Sequence, residues 1–291
     1  MRYDTLPADL RQWLAQTIAT GADEAALVRA LTAAGHKPGY ARSAAQAALA
    51  WHKAAARFAP APVPTPSASP AVALMADDGN TLRTADRPVQ LLFKLDAPRV
   101  LLLGGLLSDD ECAQMVALAQ ARLRRSTVVN PDTGAYDEHP DRTSRGGHFR
   151  RGENELIRRI EQRLADLSGY PVENGEPLQI LHYLPGGEYK PHHDYFDPAL
   201  PGNEAVLQQG GQRVATVVIY LNDVEAGGAT IFPTVGLDVL PRQGNATFFA
   251  YLAEDGRLDE RTLHGGSPVV RGEKWIATKW IRERAYVGAG V

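Results

Sequence analysis

The chain has 291 residues, of which 44% are hydrophobic and 22% are charged, and its formal net charge is -3. This composition is typical of globular proteins, so it argues against long disordered, collagen-like or coiled-coil regions. The slightly negative charge argues against a surface that follows nucleic-acid phosphates, so we expect no nucleic-acid partner.

The start of the chain does not resemble a secretory signal. Residues 1–14 read MRYDTLPADLRQWL, with acids and a proline where a signal has a basic start and an apolar run. No stretch approaches the roughly 18 uninterrupted apolar residues of a membrane helix, so we expect no membrane association. Cys112 is the only cysteine, which excludes an internal disulfide and a thiolate metal cage. These features favour a cytoplasmic location.

An alanine-rich segment, residues 1–58, is predicted to form a small all-helical module of unknown role. Leu14 and Ile18 recur at helical spacing, and Asp23 is suited to cap a second helix. A third helix is predicted from Tyr40 to Phe58.

Residues 59–75 are predicted to be a linker. The stretch Ala59–Pro70 reads APAPVPTPSASP, and its five prolines and lack of charge are typical of an extended, semi-rigid connection. The remaining residues, 76–291, are expected to form one larger domain.

The larger domain is predicted to be mainly β with flanking helices. A helix capped by Ser108 is predicted to run to about Arg125, and an amphipathic helix from Glu153 to Leu167. From Leu178 onward, short β-type segments alternate with glycine, proline and asparagine clusters. Two helices followed by about eight strands indicate a jelly-roll, or double-stranded β-helix, with its core at about 177–284.

The run Pro191–Asp194, PHHD, is the first candidate metal site. Residues two apart in a strand point to the same face, so His192 and Asp194 are expected to aim together while His193 points away. The best third ligand is His264, on a short β segment further along the chain. Two histidines and a carboxylate with open positions are typical of non-haem Fe(II) oxygenases. A solvated His–Asp pair is the alternative for the tripeptide alone.

Lys274 lies ten residues after His264, in the middle of a predicted apolar strand, GEKWIATKWI. Its ammonium must reach solvent or meet an anion, because burial of an unpaired charge is costly. The far carboxylate of a bound 2-oxoglutarate would supply that anion. A surface lysine on an edge strand is the alternative.

Five ordered segments between Pro98 and Arg284 carry a resemblance to a known family. They read SDDEC, RTS, LHYLPGGEYKPHHDYF, GGQRVATVVIYLNDVEAGGATIFP and LHGGSPVVRGEKWIATKWI. The sequence resembles the iron- and 2-oxoglutarate-dependent prolyl 4-hydroxylases, specifically the collagen-type and plant or algal branch, and we interpret it as a bacterial member. The helical module shows no such resemblance.

The resemblance implies Fe(II) as the metal, 2-oxoglutarate and O2 as co-substrates, and ascorbate as a candidate reductant. The implied iron ligands are His192, Asp194 and His264. The implied co-substrate contacts are Lys274, which anchors the distal carboxylate, Tyr183, Thr230 and Tyr220.

The resemblance also implies a set of substrate contacts: Tyr189, Arg213, Trp280, Ser144 and Glu176. The chain departs from the family pattern at two positions. His148 stands where plant-type enzymes have a tryptophan, and Arg282 stands where a histidine commonly follows the last strand. Both changes touch the expected substrate face, so His148 and Arg282 are further candidate substrate residues.

The sequence therefore predicts a dioxygenase that hydroxylates a C–H bond, on a prolyl residue of a peptide or protein, with release of succinate and CO2. One alternative is a hydroxylase of a free cyclic amino acid such as proline or pipecolate, because Arg282 could hold a free carboxylate. The other is a non-catalytic sensor that binds iron and 2-oxoglutarate. The sequence does not indicate an oligomeric state.

Overall fold

The fold is taken from a computed structural model, which describes residues 3–57, 79–129, 136–138, 142–253 and 257–288. The chain divides into two compact units. The first is formed by the N-terminal helices and includes the segment Asp197–Glu204, and the second contains the other described residues. The predicted linker at 59–75 lies outside the described residues.

The N-terminal unit is helical, as predicted. Its helices are α1 (Ala8–Ala19), α2 (Glu24–Ala33) and α3 (Pro38–Arg57). Asp23 caps α2, because its side chain accepts a 2.8 Å hydrogen bond from the amide of Ala26. The third helix begins two residues earlier than predicted, with a proline at its first position, where no amide donor is needed.

The second unit is built on a nine-stranded antiparallel sheet, here called the major sheet. In spatial order its strands are β1 (Thr81–Arg83), β2 (Pro88–Leu95), β3 (Val100–Gly104), β14 (Ala246–Ala250), β10 (Arg213–Tyr220), β17 (Lys274–Arg282), β8 (Leu178–Tyr183), β7 (Arg145–Phe149) and β4 (Arg124–Arg125).

A four-stranded sheet, here called the minor sheet, consists of β13 (Leu237–Val239), β12 (Thr230–Phe232), β15 (His264–Gly266) and β9 (Tyr189–His192). Two strand pairs complete the unit: β11 (Ala226–Gly227) with β16 (Val269–Arg271), and β5 (Thr127–Val129) with β6 (Tyr136–Glu138).

Three helices accompany the strands: α4 (Asp109–Gln120), α5 (Glu155–Ser168) and the short α6 (Glu204–Gln208). Ser108 caps α4 as predicted, but the helix does not reach Arg125. It ends at Gln120 because Arg124 and Arg125 pair with β7 as an edge strand. None of the helices in the described part of the chain combines the length and apolar character needed to cross a bilayer.

Two hydrophobic cores hold these layers together. The outer core lies between the major sheet and helices α4 and α5, and the inner core lies between the two sheets. Strand β10 contributes to both, because successive side chains point to opposite faces: Val217 and Ile219 enter the outer core, and Val218 and Tyr220 the inner core. Two facing antiparallel sheets with helices on one side confirm the predicted jelly-roll class.

Candidate metal and co-substrate site

The three predicted metal ligands converge at the minor sheet. His192 ends β9 and lies opposite His264, the first residue of β15. Asp194 follows two residues beyond the end of β9, so its position depends on the loop as well as on strand alternation. The ligand atoms of these three residues all lie within 4.8 Å of one another. His193 contacts the backbone oxygen of Glu260 instead, at 3.1 Å.

Backbone carbonyl groups orient both imidazole rings. Nδ1 of His192 lies 2.8 Å from the oxygen of Lys190, and Nδ1 of His264 lies 3.0 Å from the oxygen of Thr262. A carbonyl oxygen can only accept, so each Nδ1 donates and each Nε2 keeps a lone pair for a metal. Both Nε2 atoms lie 3.4 Å from a carboxylate oxygen of Asp194.

The Asp194 carboxylate is held by two hydroxyl groups that the sequence analysis missed. Thr216 and Tyr251 donate to Oδ2 at 2.8 and 3.0 Å, and these two hydroxyls also contact each other. Burial acts to raise the pKa of Asp194. The interactions with His264 and His192 outweigh this effect and hold the pKa well below its usual range. The carboxylate is therefore ionised, as a metal ligand must be. Strand alternation was the available signal, because Thr216 shares a face of β10 with the inner-core residues.

The donor set fits a non-haem iron. Two neutral imidazoles and one carboxylate gather on one side of a point, and within the described ranges no further histidine, cysteine or acid joins the group. Three protein ligands leave coordination positions for other molecules, in contrast to the closed tetrahedron of a structural zinc site.

Lys274 is buried next to this centre without an acidic partner. It is the first residue of β17, not a mid-strand residue as predicted, and it lies opposite Tyr183. Its side chain is 3% exposed, and in the part of the chain that the structure describes no carboxylate pairs with its ammonium. A Cβ added at Gly266, in the strand that begins with His264, would lie 3.8 Å from Nζ. Burial lowers the pKa of Lys274 to about 8.

Three further residues predicted to contact the co-substrate lie in or beside the inner core. Tyr220 donates to the hydroxyl of Thr230 at 2.9 Å, and its oxygen lies 2.7 Å from that of Thr247. Burial raises the pKa of Tyr220 to about 12, so this hydroxyl stays protonated. Tyr183 is also buried, with the Lys274 ammonium 5.6 Å from its ring centroid.

Two predicted substrate residues, Glu176 and Arg282, bind each other. Arg282 donates from Nε to Glu176 at 2.6 Å and is 1% exposed. Arg213 donates to both oxygens of the same carboxylate, at 2.7 and 2.8 Å. Burial acts to raise the pKa of Glu176, but the two guanidinium groups lower it, so the pKa lies below its usual value. The carboxylate and the Arg282 guanidinium are thus engaged within the protein.

The other predicted substrate residues lie at different depths. The ring of Tyr189 stacks on that of His192 with centroids 3.7 Å apart, which places Tyr189 at the metal centre. Trp280 packs under Arg213, and its buried indole Nε1 has no hydrogen-bond partner among the residues described. Ser144 is fully buried, whereas His148 is exposed.

Comparisons with known proteins give the class of this fold and site. Residues 178–282 match the family model of the 2OG-Fe(II) oxygenase superfamily. The chain is 40% identical to probable prolyl 4-hydroxylase 3 of Arabidopsis thaliana over 208 residues, which are 65% of this chain and 71% of that protein. Its identity to prolyl 4-hydroxylase 5 of the same plant is 41% over 203 residues, covering 63% and 68% of the two chains.

A solved structure agrees with this class. The viral collagen prolyl hydroxylase of Paramecium Bursaria Chlorella virus-1, in complex with 2OG, superposes with a TM-score of 0.50 and 32% identity, over 63% of this chain and 95% of the viral one. The chain is thus a 2-oxoglutarate-dependent dioxygenase with Fe(II), 2-oxoglutarate and O2 as cofactor and co-substrates. Within that superfamily, it belongs to the prolyl 4-hydroxylase family.

Proposed function

We propose that the protein hydroxylates a prolyl residue within a peptide or protein, with conversion of 2-oxoglutarate to succinate and CO2. The observation that carries this proposal is the buried ammonium of Lys274, which lacks an acidic partner in the described structure and lies beside the strand of His264. A dicarboxylate held between a metal and this lysine neutralises a charge that is otherwise costly to bury.

Each residue has a distinct task in the proposed reaction. His192, Asp194 and His264 would hold Fe(II), which supplies the oxidative chemistry when O2 is bound. Lys274 binds the far carboxylate of 2-oxoglutarate and so fixes its orientation.

On the substrate side, Tyr189 and Trp280 offer apolar surface near the centre.

The pairing of Arg282 favours a peptide over a free amino acid. A free amino acid needs a cationic group to bind its carboxylate, and Arg282 was the candidate for that role. In the structure, its guanidinium already binds Glu176 and the backbone oxygen of Gly211, at 2.6 and 2.5 Å. A prolyl residue within a peptide needs no such group, because its carboxyl group is part of a neutral amide bond.

One experiment separates the acceptors. The iron-loaded protein is incubated with 2-oxoglutarate and, in parallel, with proline-containing peptides, free proline and pipecolate, and each product is analysed for the mass gain of one oxygen. Hydroxylation of a peptide supports the proposal, and hydroxylation of a free amino acid alone contradicts it. Succinate formation measured in the same reactions tests the sensor alternative. The cytoplasmic location and the use of ascorbate stay predictions.

A further inference from the structure

A basic groove lies at the edge of the major sheet that carries β4. Its volume is about 410 Å³, and its lining includes Arg122, Arg124, Arg125, Ser126, His148 and Gln179. We call this feature the arginine groove. None of the lining residues that the structure describes is acidic.

Two of the three arginines have no acidic partner among the residues that the structure describes. Arg122 is paired with Glu153 at 2.6 Å. Arg124 and Arg125 are exposed and donate instead to backbone carbonyl oxygens, at 3.0 and 3.3 Å. Their two positive charges therefore lie at the lining of the groove, uncompensated by any acid of the described chain, although the protein as a whole has a net charge of -3.

Strand register connects the groove to the face of the major sheet that carries the site. Gln179 and Leu181 lie two residues apart on β8, so their side chains point to the same face of the sheet. Leu181 belongs to the inner core between the sheets. His148 lies opposite Gln179, Gly146 lies opposite Leu181, and Arg124 lies opposite Gly146. Residues directly opposite each other point to the same face of a sheet. The arginine groove thus lies on the face of the major sheet that contacts the inner core, here called the site face, at its β7 and β4 edge.

Side-chain contacts also lead from the groove to the metal ligands. Gln179 accepts a 2.7 Å hydrogen bond from Arg142, whose guanidinium lies 4.9 Å from the ring centroid of Tyr189. Tyr189 in turn stacks on His192. A chain of three side chains, those of Gln179, Arg142 and Tyr189, therefore joins the inner end of the groove to a predicted metal ligand.

We propose that the arginine groove binds an acidic segment of the substrate, rich in Asp or Glu and located a few residues from the target proline. This inference rests on the proposed function and narrows its substrate class. The strands β8, β7 and β4 span about 10 Å, which an extended peptide crosses in about three residues. Carboxylates at that distance beyond β8 meet Arg124, which points to the site face and is able to bind them through parallel hydrogen bonds. Arg125, next to it in β4, points to the other face and adds positive charge at the same edge.

The test uses proline-containing peptides that differ only in a flanking block of Glu, Gln or Lys, placed on either side of the proline. Hydroxylation is followed by mass spectrometry, and kcat/KM is measured at low and at physiological salt. On one side of the proline, the Glu peptide is expected to exceed the Gln peptide by about tenfold at low salt, with the Lys peptide lowest. The advantage should shrink as salt is raised, because exposed charges are screened.

Charge reversal at the groove supplies the decisive variant. In the double variant Arg124→Glu/Arg125→Glu, the order of the peptides should invert, so that the Lys peptide becomes the better substrate. A general loss of folding lowers all peptides together and cannot invert their order. Arg242→Glu, at an exposed arginine of the β13 end of the minor sheet, is the matched control and should keep the wild-type order.

The possible failures are distinguishable. Wild-type hydroxylation of peptides without a charge preference, or a preference that persists in the double variant, overturns the groove assignment and leaves the proposed function intact. Absence of hydroxylation on every peptide, with turnover on a free amino acid, overturns the proposed function and this inference together.

Discussion

His264 lies directly opposite His192 in the antiparallel pair β15–β9, and their ring centroids are 4.5 Å apart. The two imidazoles thus come from paired strands of one sheet, although 72 residues separate them in sequence (264 minus 192). A one-residue slip in this pairing would turn one ring to the other face. The geometry of the proposed iron site therefore depends on sheet register as well as on ligand identity.

Replacement of Asp194 by alanine is expected to abolish metal binding and turnover of 2-oxoglutarate. The change removes the one anionic ligand of the set. Fe(II) content after dialysis and succinate formation are the measurements. His193→Ala is the neighbouring control and should have a much smaller effect, because this side chain contacts the backbone of Glu260. Equal damage from both substitutions would contradict the ligand assignment.

The hydroxyl groups that donate to Asp194 are expected to increase the affinity of the site for its metal. Thr216→Val and Tyr251→Phe each remove one hydrogen bond to Oδ2, and loss of such support commonly lowers metal affinity by about 10- to 100-fold. Metal titration monitored by competition with a chelator measures the change. Tyr170→Phe removes a hydroxyl beside the outer core and is the matched control. Unchanged affinity in the Thr216 and Tyr251 variants would show that Asp194 needs no such support.

Lys274→Met is expected to weaken 2-oxoglutarate binding strongly and to leave the metal ligands intact. Removal of one partner of a buried charge pair costs about 2 to 5 kcal/mol. Calorimetric titration with 2-oxoglutarate and Fe(II), without oxygen, measures the loss. Lys279→Met is the control, because Lys279 lies on the opposite face of the same strand and pairs with Glu161 at 2.6 Å. The Lys279→Met variant is expected to unfold more easily but to keep its affinity for 2-oxoglutarate.

The lowered pKa of Lys274 predicts how 2-oxoglutarate binding depends on pH. Burial lowers this pKa to about 8, and the bound carboxylate favours the charged form. Below pH 8 the ammonium is already protonated and affinity should be constant. Above pH 8 a proton must be taken up on binding, so the dissociation constant should rise by up to about tenfold per pH unit. Lys274→Arg keeps its charge over this range and should flatten the profile. A flat profile in the wild type would contradict the assignment.

The chemistry-bearing residues were predictable where local rules apply. Strand alternation predicted that His192 and Asp194 lie together, although Asp194 lies beyond the end of β9. The apolar surroundings of Lys274 predicted a need for an anion. The support of Asp194 was not predicted, because Thr216, on β10, and Tyr251, just beyond β14, are distant from it in sequence. The pairing of Arg282 with Glu176 joins residues 106 positions apart, and no spacing rule reports such a contact.

The fold was predicted in outline, with its errors at the margins. Strand β2 (Pro88–Leu95) was missed because a register shift between Leu91 and Phe93 interrupts its alternation of buried and exposed residues. The end of α4 was placed too late because Arg124 and Arg125 are good helix formers, and their pairing with β7 overrides that preference.

The N-terminal helices are expected to be separable from the dioxygenase unit. The second unit contains both sheets, both cores and the residues of the proposed site. A truncated chain that begins at Ala71 should therefore fold and decarboxylate 2-oxoglutarate. Circular dichroism, Fe(II) content and succinate formation are the measurements. An insoluble product, or one that cannot bind iron, would contradict the proposed boundary.

Glu176→Gln is expected to destabilise the fold. The change leaves the guanidinium groups of Arg213 and Arg282 buried without an anion, and breaking a buried pair in this way costs about 3 to 5 kcal/mol. Denaturant unfolding at neutral pH measures the loss. Glu225→Gln breaks an exposed pair with Arg271, for which a loss below about 1 kcal/mol is expected.

The pH dependence of that stability has a definite sign. The folded-state pKa of Glu176 lies below its ordinary value of 4.5, so the stabilisation is complete above pH 4.5 and is lost as the pH falls through the folded-state pKa. The difference in unfolding free energy between wild type and Glu176→Gln should therefore shrink in acid. If the same carboxylate instead bound the peptide substrate, the variant would lose peptide affinity with little loss of stability, and the proposed engagement of Glu176 within the protein would be wrong.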